Sequence, residues 1–408
     1  MAKKYNCEKN GIKYFRKTKT IGHDLNGEPI KKEFYGDGEK DCERQIEEYM
    51  NLNKSGLPVG FEKITVEQLM KSWLFDVLLT SKDLKSASFE KHETNYRLYV
   101  KNSPIGFLKV HEITTKPIQL YYNKLYEEKE LSTNKIIDIN KTLRKFFFYC
   151  TDNNYITKNP CLLRFIEIPG NADGDEDSEQ EGENIDAYSE DEIKSILSAL
   201  DKEKDKTLAF SIGLTLFTGM RLGEMLGLKN KFLNTDSSSI KIKNTLQRIR
   251  VYEKDGTYKI ALKIKSPKTK SSIRNIPFAS ALIPNIKKYI ELQKEKWYKN
   301  GLDFTDDSLL ITTATCNCIE PRNFERAYER FLKRHDLPQK KFHSLRDTYA
   351  TTLFRNGATI LEVKELLGHT SSKTTEKYYL TVFPEDKKDA AELLSKLIQI
   401  PSREIVGK

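Results

Sequence analysis

Two arginines and two histidines in the C-terminal half of the chain have residue types suited to chemistry on a phosphodiester. Arg221 stands in a Thr-Gly-Met-Arg string, and His369 follows a Leu-Gly pair. Arg346 follows His343 by three residues, a spacing that puts both side chains on one face of a helix. A transferring phosphate gains negative charge on its non-bridging oxygens, which preorganised cations stabilise, and an arginine fork binds two such oxygens. These four residues therefore predict a site that stabilises a transferring phosphate.

A tyrosine and a lysine provide the other two groups that such a transfer needs. Tyr378 lies nine residues after His369, and a tyrosine hydroxyl can form a covalent phosphoester that conserves the energy of the broken bond. Lys268, in a Pro-Lys-Thr-Lys turn between predicted strands, is a candidate general acid for the departing alkoxide. Tyr379 and Lys270 stay open as alternatives to these two residues. Because side chains supply the cations, we predict no metal and no cofactor.

The composition favours a polyanionic partner. Lys and Arg number 69 against 59 Asp and Glu, a formal net charge of +10, and basic side chains release counterions when they neutralise phosphates. We find no run of about 18 apolar residues that would span a membrane, and the N-terminus lacks the apolar segment of a secretory signal. Six cysteines without a Cys-x-x-Cys pair indicate reduced thiols, and hence a cytoplasmic protein.

One stretch of the chain opposes this basicity. Residues 171–186 hold eight acidic residues and no basic one, and their apolar content is too low to form a core. We interpret residues 167–187 as an acidic linker between domains. An acidic loop inside a single domain is the alternative.

The N-terminal residues 1–57 are predicted to form a small β-sheet module with a covering helix. The strands are expected at 11–19 and 30–35, around an Asn-Gly turn, and the helix at 40–53. Basic residues alternate with aromatic ones on this ribbon, which could enter a DNA major groove. The candidate DNA-binding residues here are Arg16, Lys17 and Lys19. An ordinary solvated strand face explains them equally well.

The next residues, 62–166, are predicted to be all-helical. Apolar side chains recur at i, i+3, i+4 and i+7 from Val66 to Leu78. Three further helices are expected at 88–100, 114–128 and 132–153. Lys85 is a candidate phosphate contact, although it could equally lie on a solvated face.

After the linker, residues 188–387 are predicted to be mainly helical with a small antiparallel sheet. A capping box at Ser189 begins the first helix. The helices are expected at 189–200, 208–217, 283–297, 321–335, 343–356, 359–367 and 371–379, and the strands at 239–244, 258–264 and 273–277. The tail 388–408 has an apolar stripe between 388 and 398.

These motifs together resemble the tyrosine site-specific recombinases, or phage-type integrases, over about residues 60–385. The resemblance is strongest to the integrases of conjugative transposons, temperate phages and genomic islands. It implies two catalytic arginines, a hairpin lysine, two histidine positions and a nucleophile in a Thr-Thr-x-x-Tyr context. In this chain they are Arg221 and Arg346, Lys268, His343 and His369, and Tyr378.

The resemblance also implies a domain organisation and a function. Residues 1–57 would be a three-stranded arm-type DNA-binding domain, 62–166 a helical core-binding domain and 188–387 the catalytic domain. The tail would dock on a neighbouring protomer or on its own domain. The implied activity is integration and excision of a mobile element through a 3′-phosphotyrosine intermediate. The implied partners are double-stranded DNA with core and arm-type sites, a homotetramer, an excisionase and a host DNA-bending protein.

Three other interpretations remain. A non-catalytic, sequence-specific DNA-binding regulator could use the same scaffold. A type IB topoisomerase uses the same chemistry, although the separate N-terminal module argues against it. A metal site formed by Cys316, Cys318 and either His335 or His343 is disfavoured, because the Cys-x-Cys pair lacks a second pair at zinc-finger spacing.

Overall fold

The computed structural model describes residues 5–9, 11–23, 29–53, 63–81, 86–170, 185–267 and 270–382 of the chain. The chain divides into two compact units, residues 1–180 with 250–259 and residues 181–249 with 260–408. Several predicted features lie outside the described residues. These are the Asn-Gly turn at 26–27, Lys85, Lys268, most of the acidic linker and the tail 388–408.

A three-stranded antiparallel sheet with one helix forms the N-terminal module, as predicted. Its strands are β1 (Cys7–Lys9), β2 (Ile12–His23) and β3 (Pro29–Gly36), and its helix is α1 (Glu39–Asn53). The register pairs Lys17 with Phe34 and Arg16 with Tyr35. Because successive side chains of a strand point to opposite faces, Arg16 and Lys17 lie on opposite sides of the sheet.

The following helices enclose one apolar core. They are α2 (Val66–Ser72), α3 (Ser86–Tyr99), α4 (Thr115–Glu127) and α5 (Thr133–Asp152). The side chains of α5 at helical spacing are fully buried, which confirms the predicted stripe, namely Ile136, Ile139, Leu143, Phe146, Phe147 and Cys150.

One predicted helix in this unit changes its geometry part-way. The sequence predicts a regular helix from 66 to 78, but α2 ends at Ser72 and a π-helix covers Trp73–Leu78. There the amide of Leu79 donates to the oxygen of Leu74, five residues back. The wider turn accompanies three consecutive buried side chains, Trp73, Leu74 and Phe75. A regular 3.6-residue period does not anticipate such a run.

Helices predominate in the second unit. They are α6 (Glu190–Lys202), α7 (Lys206–Thr218), α8 (Leu222–Leu226), α9 (Ile283–Lys299), α10 (Pro321–Arg334), α11 (Ser344–Arg355), α12 (Ile360–Leu367) and α13 (Ser372–Val382). A sheet has the order β4-β5-β8, with β4 at Leu233–Asn234, β5 at Ser239–Ile242 and β8 at Arg274–Pro277. α11 contacts α7, α12 and α13, and most of its residues are buried. It is the central helix of this unit. None of the helices in the described parts of the chain is long and apolar enough to cross a membrane.

The longest strand that the sequence prediction missed is β6 (Thr245–Tyr252). It pairs with β7 (Tyr258–Lys265) in a two-stranded sheet. Its two arginines interrupt the alternation of apolar and polar residues that would predict a strand. In the structure Arg248 forms an ion pair with Glu320, and Arg250 forms one with Glu90. Partners distant in sequence thus make a charged strand compatible with partial burial.

Two phenylalanines of α5 test the core of the helical domain. Phe146 is fully buried and its ring lies 5.5 Å from that of Trp73, whereas Phe148 is 45% exposed. We expect Phe146→Ala to lower the free energy of unfolding by about 3–5 kcal/mol, because it leaves a cavity. Urea unfolding followed by Trp73 fluorescence, in a Trp297→Phe background, measures it. The matched control Phe148→Ala should change it by less than about 0.5 kcal/mol. Equal effects of the two substitutions would contradict this account of the core.

Candidate active site

Three guanidinium groups lie at the C-terminal end of α12. Arg274 Nε donates to the carbonyl oxygen of Leu366 at 2.6 Å, and Arg346 Nη2 donates to that of Leu367 at 2.7 Å. Arg221 Nη1 lies 3.4 Å from the second of these oxygens. The last carbonyls of a helix have no partner inside the helix and carry the negative end of its dipole. The end of α12 is therefore an acceptor surface that positions cations.

A glycine makes this helix end possible. Gly368 follows α12 with a φ of +65°, in the left-handed region that side chains other than glycine rarely adopt. Its carbonyl oxygen lies 3.5 Å from Arg221 Nη2. A Cβ atom added at this position would lie 2.9 Å from Arg274 Cδ and 3.0 Å from the oxygen of Ser271. The turn and the arginine beside it thus depend on the absence of a side chain.

Arg346 is 1% exposed, and all of its described contacts hold it in one orientation. Nη1 donates to the carbonyl oxygen of Gly219 at 2.6 Å, and Nη2 also lies 3.0 Å from His369 Nε2. Burial, together with the charge of Arg221, lowers the pKa of Arg346 to about 9. The group keeps its positive charge at neutral pH.

His369 supports this arginine in a defined tautomer. An arginine only donates hydrogen bonds, so Nε2 of His369 accepts from Arg346, and Nδ1 carries the proton that it shares with Thr375 Oγ1 at 2.9 Å. Burial and the charge of Arg346 lower the pKa of His369 to about 3. The imidazole is therefore neutral at physiological pH. The sequence predicted a cationic donor here, whereas the structure shows a neutral group that orients Arg346.

One buried carboxylate organises two of the arginines. Glu224 is 4% exposed and accepts from Arg274 Nη1 and Nη2 at 3.0 and 2.9 Å, and from Arg221 Nη1 at 3.0 Å. Burial raises the pKa of Glu224, but the hydrogen bonds and charges of the two arginines outweigh it and hold the pKa below its ordinary value. With Arg346, which does not contact Glu224, the cluster holds three guanidinium groups and one carboxylate. The excess positive charge suits an anion.

The tyrosine hydroxyl lies next to this cluster. Tyr378 is 7% exposed and donates to Asp347 Oδ1 at 2.9 Å, and His343 Nε2 lies 3.5 Å from the same oxygen. Burial, and then the charge and hydrogen bond of Asp347, raises the pKa of Tyr378. Tyr379 instead packs edge-on against Phe354, with ring centroids 5.5 Å apart.

The predicted residues that the structure describes fall into two neighbouring groups. Arg221, Arg346 and His369 meet at the end of α12, while His343 and Tyr378 meet at Asp347. His343 occupies the N-cap position of α11 and is half exposed, whereas Arg346 is buried, so the two side chains contact different partners. Lys270 begins a 3₁₀ turn that ends at Ser272.

The candidate DNA-binding residues of the N-terminal module are not brought onto one surface. Arg16 forms an ion pair with Glu33 at 3.3 Å on one side of the sheet. Lys17, on the side that faces α1, forms one with Glu43 at 2.7 Å, and Lys19 shares its side by alternation. Their part in DNA binding stays a prediction.

Four residues of the site were missed in the sequence. Glu224 follows Arg221 by three residues and Asp347 follows His343 by four, spacings that indicate contact on one helix face. Thr375 stands in the Thr-Thr-x-x-Tyr string. Arg274 had no signal, because a lone arginine in a lysine-rich chain is unremarkable.

Comparisons with known proteins now identify the family. The model of the phage integrase family matches residues 187–385. A tyrosine recombinase XerC-like protein of Caldanaerobacter subterraneus subsp. tengcongensis is 39% identical over 400 residues, which cover 97% of this chain and 100% of the relative. The chain belongs to the tyrosine recombinases. This recombinase is thus an enzyme of site-specific DNA recombination, as its motifs predicted, and the comparisons do not support a non-catalytic regulator.

Two further similarities place the recombinase among integrases. It is 25% identical to the ICEBs1 integrase of Bacillus subtilis over 307 residues, which cover 74% of this chain and 76% of that one. The structure of the Tn1549 transposon integrase in complex with a circular intermediate DNA is similar, with a TM-score of 0.62 and 20% identity. That similarity covers 81% of this chain and 99% of the other, and confirms the predicted multidomain fold.

The turn after α12 can be tested with two glycines of positive φ. We expect Gly368→Ala to reduce covalent attachment to DNA at least tenfold, because the new Cβ displaces Arg274 and the neighbouring carbonyls. Gly357, with a φ of +84°, has nothing within 4 Å of an added Cβ. Gly357→Ala therefore carries a similar backbone strain, about 1 kcal/mol, without contact to the arginines. Attachment is measured on denaturing gels. An equal loss in both variants would mean that strain alone matters.

The low pKa of His369 predicts a pH-dependent stability. The unfolded chain protonates this histidine near pH 6.5, whereas the folded protein does so only near 3. The unfolded state therefore binds more protons as the pH falls below about 7, and the free energy of unfolding decreases by about 2 kcal/mol from this group at pH 5. Between pH 7.5 and pH 5.0, the free energy of unfolding should decrease less for His369→Gln than for the unaltered protein, as measured by urea unfolding at both pH values. Unchanged pH dependence in the variant would refute the assignment.

Proposed function

We propose that this recombinase integrates and excises a mobile genetic element by cutting and rejoining double-stranded DNA in the cytoplasm. Its similarity to an integrase named for a transposon and to the ICEBs1 integrase supports a mobile element. The formal charge of +10 suits a DNA partner. The observation that carries the proposal is the placement of a tyrosine hydroxyl beside a cluster of three arginines, of which Arg274 and Arg346 are buried.

Tyr378 is the nucleophile of the proposed reaction. Its oxygen bonds to the phosphorus of the DNA strand while the bond from phosphorus to the 5′ oxygen breaks, leaving a 3′-phosphotyrosine and a 5′ hydroxyl. Lys268 gives its proton to the departing 5′ oxygen as a general acid. Attack by the 5′ hydroxyl of the exchanged strand reverses the step and releases the tyrosine.

Arg221 and Arg346 hold the non-bridging oxygens in the transition state. The side chain of Arg221 is 38% exposed, so it can reach a phosphate while Glu224 retains one of its nitrogens. Arg346 is 1% exposed, and burial makes its charge more effective on the phosphate. His343, which is half exposed, donates to the phosphate, and His369 keeps Arg346 in place.

A homotetramer on two DNA sites exchanges one pair of strands and then the other. In this arrangement residues 1–57 bind arm-type sites, residues 62–166 bind core sites and residues 188–387 cleave. The linker 167–187 joins the last two, and the tail 388–408 docks on a neighbouring protomer or on its own domain. An excisionase and a host DNA-bending protein are the further partners.

Two adjacent tyrosines provide a matched test of the nucleophile. The probe is a nicked DNA duplex that carries the joined ends of the circularised element that encodes the protein. After cleavage, the short strand beyond the nick diffuses away, so the covalent adduct accumulates. We expect Tyr378→Phe to shift this DNA in a native gel as the unaltered protein does, but to give no covalent adduct in a denaturing gel. Tyr379→Phe should keep the adduct. An adduct that persists in Tyr378→Phe and disappears in Tyr379→Phe would reverse the assignment.

A further inference from the structure

Asp347 has a position that the proposed reaction leaves unexplained. It is 8% exposed on α11, directly after Arg346, and one of its oxygens accepts the hydroxyl proton of Tyr378 at 2.9 Å. The carboxylate is held from two further sides. His343 Nε2 lies 3.5 Å away, and the backbone N–H of Asp186 donates to it.

Tyr378 must lose its proton when its oxygen bonds to phosphorus. His369 cannot take that proton, because its Nε2 accepts from Arg346 and its Nδ1 donates to Thr375. His343, whose Nε2 lies 3.5 Å from Asp347 Oδ1, donates to the phosphate in the proposed reaction. Arg346 and Arg221 are cations that act on the tyrosine by charge. Asp347 is at hydrogen-bond distance from the proton, which is the geometry that a general base requires.

We propose that Asp347 is the general base of strand cleavage, a role that rests on Tyr378 being the nucleophile. As the tyrosine oxygen bonds to phosphorus, its proton passes to Asp347 Oδ1, and the electron pair of the broken bond leaves with the 5′ oxygen. On rejoining, Asp347 returns the proton to the departing tyrosine. Burial raises the pKa of Asp347 above that of an exposed carboxyl, and so brings it nearer to that of a phenol.

The neighbours of Asp347 are positioning residues in this proposal. The Asp186 side chain accepts from Ser344 Oγ at 3.3 Å and lies 3.4 Å from Lys340 Nζ, so the end of the acidic stretch is attached to the start of α11. Ile185 packs against the apolar cluster that contains Tyr378. The last residues of the acidic segment thus help to define where base and nucleophile meet.

Two substrates separate the general base from the general acid. One is the nicked duplex described above, and the other carries sulfur in place of the bridging 5′ oxygen, so that its leaving group needs no proton. Asp347→Asn should slow covalent attachment about 10²–10⁴-fold on both substrates, because neither relieves the tyrosine of its proton. Lys268→Ala should slow covalent attachment to the nicked duplex, and its rate should recover on the substrate with the bridging sulfur. Asp347→Glu, which retains a carboxylate, should give an intermediate rate.

Controls distinguish this inference from the proposed function. Tyr378→Phe should give no adduct with either substrate, irrespective of the role of Asp347. An adduct in this variant would contradict the assignment of Tyr378 as the nucleophile, and so the proposed function. Glu203, a buried acid that pairs with Arg334, is the matched control, and Glu203→Gln should attach at the unaltered rate. All variants are compared at equal DNA occupancy in native gels and by thermal unfolding.

A chemical substitution at the nucleophile gives an independent readout. Fluorotyrosine at position 378 is a stronger acid and depends less on a base. It should restore attachment by Asp347→Asn at least tenfold, which a merely structural role of Asp347 would not produce. Faster attachment by Asp347→Asn would show that the carboxylate restrains the tyrosine, and an unchanged rate would show that it takes no part. Either result overturns the proposal.

Discussion

The end of one eight-residue helix determines the arrangement of the site. The final carbonyls of α12 cannot be satisfied within the helix, and three arginines from different parts of the chain, Arg221, Arg274 and Arg346, supply the donors. The left-handed glycine that ends the helix leaves room for them. The same contacts thus provide hydrogen-bond donors for the last carbonyls of α12 and concentrate positive charge at one point.

Burying so much charge is favourable only because nearly every guanidinium has a defined partner. Arg346 has two carbonyl oxygens and a neutral imidazole, and Arg274 has a bidentate carboxylate and a carbonyl. An unpaired buried charge would cost several kcal/mol. Glu224 offsets part of the repulsion but leaves a positive excess. In the proposed reaction, the phosphate supplies the negative charge that balances this excess.

The proposed nucleophile contacts the same group of helices. Tyr378 on α13 and Asp347 on α11 meet because the two helices pack through a common apolar cluster with Phe354 and Leu367. Displacement of α13 would therefore change the contact between the tyrosine and its acceptor. The cation site and the carboxylate that accepts from Tyr378 share one helix, α11, which carries both Arg346 and Asp347. The position of α11 therefore affects both the charge stabilisation by Arg346 and the proposed proton transfer to Asp347.

The sequence alone identified the family, the fold class and six candidate catalytic residues, because their types and spacing are specific in combination. Amphipathic periodicity also predicted most helices, since burial of a face requires it. It could not reveal β6, whose arginines are neutralised by distant partners, or the π-helix at Trp73. Only the tertiary structure showed that His369 is neutral, and that Arg274 and Asp347 belong to the site. These properties arise from burial and from contacts between residues far apart in the chain, which no local pattern encodes.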